Sequence, residues 1–210
     1  MFLHITSRIE GRKNDGMLSE KGGGGFPYIA YLDSDGDLAA QHKGARTAEG
    51  FAATAATAKS TMELKAKAAT GDKDAAKQYF LLQLGFGTLK VPAMKKALAE
   101  LELTDAERAT VEGAIVGVEV MDKVNALPKR SRGMTEEQQA ARTAAEAELG
   151  KEFLAMFQAG KTPSDDNAYT WFVWLSLAHC GVAKDAENAD KLVKAAKAKY
   201  TGNRRMGRFL

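Results

Sequence analysis

The sequence predicts an α+β protein that is mostly helical, with a small β portion at its start and helical hairpins after it. Three observations carry this reading. Phe26 to Leu32 (FPYIAYL) is rich in aromatic and β-branched residues and runs into an acidic turn, Asp33-Ser34-Asp35-Gly36-Asp37, and then a second short run. After Gly44, helix-start residues repeatedly precede apolar stretches of helical period. And 210 residues with 45% hydrophobic and 27% charged content are enough to bury a core in the manner of a globular protein.

Taken in order, Phe2 to Ser7 (FLHITS) alternates, with Leu3 and Ile5 on one face, as a strand does. Asn14-Asp15-Gly16 is a turn signal, and Met17 to Lys21 has the length of a short helix. Four glycines, Gly22 to Gly25, lead into Phe26-Pro27 and the aromatic strand. Gly36 supplies the positive φ of the hairpin turn, and Leu38 to Lys43 returns as a shorter, more polar strand expected at an edge.

The helices follow. Thr47 is an N-cap for an alanine-rich segment in which Phe51 is the one large apolar residue before Met62 and Leu64. Asp72 caps a helix whose Phe80, Leu81, Leu82 and Leu84 are expected to form a broad buried face. Val91 to Leu101 makes the next, and Thr104 and Thr135 open capping boxes on two more, with Pro128 closing the first of these. Helices are then expected from Glu136 to Gln158, from Asp165 to His179 and from Lys184 to Tyr200, with Gly160 and Gly181 at their left-handed C-termini. Such hairpins are tetratricopeptide-like, although no constant period of about 34 residues can be laid over them. The division read from the sequence is 1–60 for the β-containing domain and 61–210 for the helical-hairpin domain.

Composition narrows the function classes. A net charge of +3 is too small for nucleic acid, and the basic clusters at Lys129–Arg132 and Arg204–Arg208 read as solvated loops. No run reaches the roughly 18 apolar residues of a membrane span. The first residues lack the basic-then-apolar order of a secretory signal, which places the chain, as written, in the cytoplasm. Cys180 is the single cysteine, so there is no intrachain disulfide and no CxxC; its surroundings, TWFVWLSLAHCGV, predict a buried, inert thiol.

The run GFPYIAYLDSDGDLAAQHKG, followed by TAEGFAATAATA, resembles the C-terminal half of a thioredoxin-fold domain. That half carries a proline at the start of a strand, a hairpin with an acidic-glycine turn, and a last helix. The resemblance covers roughly residues 1 to 60 and implies a truncated β-α-β-β-α unit in which FLHITS is the first strand present. It also implies that the Phe26–Pro27 bond is cis, and that Gly25, Phe26 and Pro27 form a loop whose backbone pairs with a bound peptide. The glycines then let the chain swing from the short helix into the strand. The departure is as informative as the match. The family's thiol–disulfide exchange needs a CxxC pair at a helix N-terminus, and the strand and helix that carry it are missing here. That strand would lie between FLHITS and FPYIAYL, so its absence leaves backbone groups of both without a partner. The strands can close up, a second chain can pair at the edge, or the protein can start further upstream, the last being the expectation.

Three functional readings follow: a redox-inactive, thioredoxin-like protein-interaction module with a helical scaffold; the C-terminal part of a thiol–disulfide oxidoreductase whose CxxC lies upstream; and a helical adaptor. The expected partner is a protein or peptide, with self-association through an exposed strand edge as an option; neither nucleic acid nor membrane is expected. A second candidate surface is a helical groove at Tyr169, Trp171 and Trp174. No cofactor and no metal site is expected: Asp33, Asp35 and Asp37 have the spacing of a calcium loop's first ligands, but Leu38 and Gly44 stand where its glycine and glutamate belong. Gly85-Phe86-Gly87 reads as an interhelical turn, Ile9-Glu10-Gly11-Arg12 as a coincidental match to a protease-cleavage tag, and His4 and His42 as ordinary structural histidines.

Overall fold

A computed structural model describes residues 16–129, 131 and 133–201. The FLHITS strand, His4, Ile9–Arg12 and the Arg204–Arg208 cluster therefore lie outside the described residues. Within them the protein is mostly helical, with eight helices and one two-stranded antiparallel sheet. The chain divides into two compact units, Met1–Thr104 and Asp105–Leu210. Residue 60, the boundary read from the sequence, lies inside a helix of the first unit.

The first unit runs α1 (Met17–Glu20), β1 (Ala30–Leu32), β2 (Leu38–Gln41), α2 (Ala48–Ala69), α3 (Lys73–Phe86) and α4 (Val91–Glu100). β1 is shorter than FPYIAYL because Pro27 has no N–H to give a ladder and residues 26–29 run irregularly into the strand. β2 is more buried than its polar composition predicts: Leu38, Ala39 and Ala40 are almost fully buried. The reason is α2, which lies over the hairpin. Ala58 packs on Ala39, Ala40 and Tyr31, and small side chains on both surfaces let helix and hairpin approach closely. The buried Thr61 hydroxyl donates to the Thr57 carbonyl one turn back, so α2 buries that hydroxyl satisfied. The apolar face expected of α3 is only half-buried at Phe80, Leu81, Leu82 and Leu84; its buried polar residue is Gln83. Thr47 and Asp72 cap α2 and α3 as expected, accepting hydrogen bonds from the amides of Gly50 and Ala75.

The second unit is α5 (Asp105–Ala126), α6 (Glu136–Gln158), α7 (Asp166–Ala183) and α8 (Ala186–Lys199). The Thr135 capping box is present in full. Its core joins Val120 and Val124 of α5, Leu149 and Phe153 of α6, Phe172 and Leu175 of α7, and Ala196 with Tyr200 at the end of α8. Phe153 stacks on Phe172 at 5.4 Å between ring centroids, and Tyr200 meets Tyr169 edge-on at 5.7 Å. α6 and α7 approach backbone to backbone at Gly150, where a Cβ would stand 2.3 Å from the Leu175 carbonyl oxygen. α7 continues a full turn beyond its expected end at His179. Gly181 is an interior helical residue, and Lys184 takes the left-handed C-cap conformation instead, with φ of 56°. Among the described residues, no helix is long and apolar enough to cross a membrane.

Candidate functional site

The hydrogen-bond register of the hairpin decides which backbone groups are free. The His42 amide donates to the Ile29 carbonyl and the Asp33 amide to the Asp37 carbonyl, both at 2.9 Å. Ile29, Tyr31 and Asp33 therefore face β2, with the extra residue of a bulge taken up opposite Tyr31 and Leu32. The N–H and C=O groups of Ala30 and Leu32 face the other way. Among the described residues β1 pairs with β2 alone, so no other described strand takes up that edge. The outer edge of β2 is treated differently: Gln83 donates its side-chain amide to the Leu38 carbonyl at 2.9 Å, from within α3.

The segment that enters this edge is Gly25-Phe26-Pro27. All three are exposed, the Phe26–Pro27 peptide is cis, and the Phe26 ring is 67% accessible. Leu32, at the far end of β1, is 41% accessible. Two large exposed apolar side chains, Phe26 before the strand and Leu32 at its end, thus stand along this segment. Below them, the Tyr28 hydroxyl donates to the Lys21 carbonyl and the Tyr31 hydroxyl to the Phe51 carbonyl, tying the strand to α1 and α2.

The glycine string has two halves. Gly22 has φ of 79° and a Cβ there would stand 2.8 Å from the Phe86 carbonyl oxygen; one on Gly23 would stand 2.4 Å from a Leu18 methyl and 2.9 Å from the Leu18 carbonyl oxygen. At Gly24 and Gly25 a Cβ meets nothing within 4 Å. The first two glycines are needed by the tight exit from α1. The last two leave open space beside Phe26.

At the other end of the hairpin, Asp33 accepts the amides of Asp35 and Asp37 on one carboxylate oxygen, each at 2.9 Å. The carboxylates of all three converge on the Lys65 ammonium of α2, at 2.6, 2.8 and 2.9 Å. The three acidic groups are close enough together to ligate a cation, and the cation that stands among them is this lysine. Burial pushes the Asp33 carboxyl up, but its hydrogen bond to Lys65 and the Asp37 and Asp35 amides outweigh that and hold it below the ordinary carboxylate value. The three carboxylates hold Lys65 protonated well beyond the usual lysine range. His42, just past β2, packs into the start of α2: its ring stacks on Phe51 at 4.4 Å and its Nδ1 lies 2.7 Å from the Thr54 hydroxyl. That hydroxyl donates to the Gly50 carbonyl, which leaves it to accept from Nδ1.

The second candidate surface is not gathered in one place. Tyr169 is a core residue, 4% accessible, stacked with Phe172 and lying under the Lys199 ammonium. Trp171 is half-buried and Trp174 is 42% accessible; the two indoles meet edge-on at 5.4 Å. Positions 169 and 171 lie about 200° apart on a helix, so they face opposite ways. Cys180 is 1% accessible among Leu154 and Leu192, and burial pushes its thiol up. Lys65 and Gln83 carry no sequence signal for their roles: each meets its partner across 28 to 45 residues. The only hint was an acidic turn with no base beside it.

Comparison of the chain with protein-family models, curated proteins and solved structures gives no match.

Proposed function

We propose that this chain is a redox-inactive, thioredoxin-like protein-interaction module, in which an extended segment of a protein or peptide partner pairs with the open edge of β1 beside Phe26 and Pro27. The observation that carries the reading is the pair Ala30 and Leu32, whose backbone groups face away from β2 on an edge that no other described strand pairs with. Strand addition to such an edge draws affinity from main-chain hydrogen bonds and selectivity from side-chain contacts. Phe26 and Leu32, both exposed, supply those contacts. The order of short helix, hairpin and long helix fits the truncated unit that the sequence resembles. The helices from α3 onward serve as scaffold. Redox inactivity rests on the single cysteine: it is buried, and a dithiol cycle needs two.

The test is an edge variant read beside an activity assay. Ala30→Pro removes only the outward N–H of β1 and leaves the bonds of Ile29 and Asp33 to the β2 side in place. Extended peptides captured from a random hexapeptide library should bind the wild type and lose at least tenfold in affinity on Ala30→Pro, while insulin reduction stays at background for both. Capture of peptides indifferent to Ala30→Pro, or turnover in the insulin assay, overturns the reading.

A further inference from the structure

The turn that follows β1 carries more acid than its own counter-ion balances. Asp33, Asp35 and Asp37 converge on one ammonium, that of Lys65, and among the described residues no other cation is paired with them. Three carboxylates against one cation leave two negative charges. The share is uneven. Asp33 is nearest to Lys65 and its side chain is largely buried, whereas Asp35 and Asp37 are exposed. Lys65 therefore serves Asp33 most fully, and the excess charge meets solvent through Asp35 and Asp37. This acidic turn is continuous with the edge of β1. Ala30 and Leu32 turn their backbone groups away from β2, Leu32 is exposed, and Asp33 is the next residue.

We propose that the segment which pairs with this edge is a basic one, with lysine or arginine at the end that lies beside the hairpin turn and apolar side chains toward Phe26. The inference rests on the strand-addition reading above and names the chemistry of its partner. The argument is one of distance and sign. A strand added to β1 runs about 4.8 Å from it, and the chain from Phe26 to Leu32 spans at most about 20 Å. A segment of about six residues that meets Phe26 therefore ends beside the turn. The long side chain of a lysine or arginine there crosses one strand spacing to reach Asp35 or Asp37. An acidic segment brings like charge against two carboxylates that Lys65 does not balance, and a neutral one leaves them unmatched. Exposed pairs of this kind contribute little each and are screened by salt. The charge thus selects among extended segments, while main-chain bonds and the exposed Phe26 and Leu32 hold them.

The experiment reads the sequences that the full chain captures from the random hexapeptide library. Lysine and arginine should be enriched at one end only, with apolar residues in the rest. The affinity of a captured peptide should fall about fivefold as salt rises from about 20 to about 500 mM, and by a similar factor when its basic residue is changed to glutamine. Asp35→Asn combined with Asp37→Asn leaves the neutral Asp33–Lys65 pair and should abolish the preference. The basic and glutamine peptides then bind this variant equally, and as tightly as the glutamine peptide binds the wild type. Should the double variant not fold, the salt series and the glutamine peptide on the wild type decide by themselves. Peptides that lose affinity on Ala30→Pro yet show no basic enrichment, or that bind wild type and double variant alike, overturn this inference and leave strand addition standing. Basic peptides indifferent to Ala30→Pro overturn both, because the turn then attracts charge without an added strand.

Discussion

Lys65 stands 2.6 Å from Asp33, thirty-two residues away in the chain, and reaches Asp35 and Asp37 with the same ammonium. One cation on α2 thereby holds both the turn of the hairpin and the strand that leads into it. Asp33 is largely buried, while Asp35 and Asp37 are 70% and 55% accessible, so solvent screens the second and third contacts and the first carries most of the energy. Replacing Lys65 with Met keeps the aliphatic stem and leaves three carboxylates facing one another. We expect a loss of about 1–2 kcal/mol, read as a lower thermal midpoint and as faster amide exchange at Asp35 and Asp37. An unchanged exchange rate at both amides would show that the turn does not depend on the lysine.

The same anchor has a defined pH window. Asp33 is held below its ordinary value in the folded protein, so its contribution is complete above the unfolded value and is lost as pH falls through the folded one. Lys65 is raised, so its contribution is complete below the ordinary lysine value and is lost only as pH rises beyond it. The anchor is at full strength from about pH 5 to about pH 10 and fails first on the acid side. The stability gap between wild type and Lys65→Met should be constant across that range and shrink as pH drops toward about 2. A gap that persists in acid removes the electrostatic explanation and leaves a packing one.

The glycine string makes a discriminating set of substitutions. Gly23→Ala drives a methyl into Leu18, side chain and carbonyl alike, and should cost about 1–3 kcal/mol. Gly24→Ala and Gly25→Ala meet open space at backbone conformations an L-residue adopts, and should change stability by no more than about 0.5 kcal/mol. Thermal unfolding of the three variants decides the matter: equal losses at positions 23 and 24 would mean that the close exit from α1 is not what the first glycines serve.

Cys180 should behave as a core residue. Burial pushes its thiol up, and the nearby Asp185 carboxylate adds to that. An aromatic disulfide reagent should react with it at pH 8 orders of magnitude more slowly than with a free thiol, and at the ordinary rate once the chain is unfolded in guanidinium. Leu192→Ala, which opens the cavity beside it, should raise the native rate. Fast reaction in the native wild type would mean that the second unit opens locally around α8.

The sequence by itself determined the local structure. Thr47, Asp72 and Thr135 mark helix starts because a side-chain oxygen meets amides within three residues, and the Asp33–Asp37 turn is written in five consecutive positions. The buried thiol was legible too, because the apolar run around Cys180 leaves it no polar side to face. Tertiary structure alone decided what depends on distant partners. The polar-looking β2 became the buried strand because α2 lies on it, and Gln83, amid apolar neighbours, turned inward to satisfy the Leu38 carbonyl. Tyr169 and Trp174 parted company, one into the core and one to the surface, because a helix separates them by angle and the packing of α6 and α8 chooses which angle is buried. The edge of β1 that no other described strand pairs with belongs to this second kind. Whether a strand has a free side is a property of its neighbours in space, and no pattern within the strand records it.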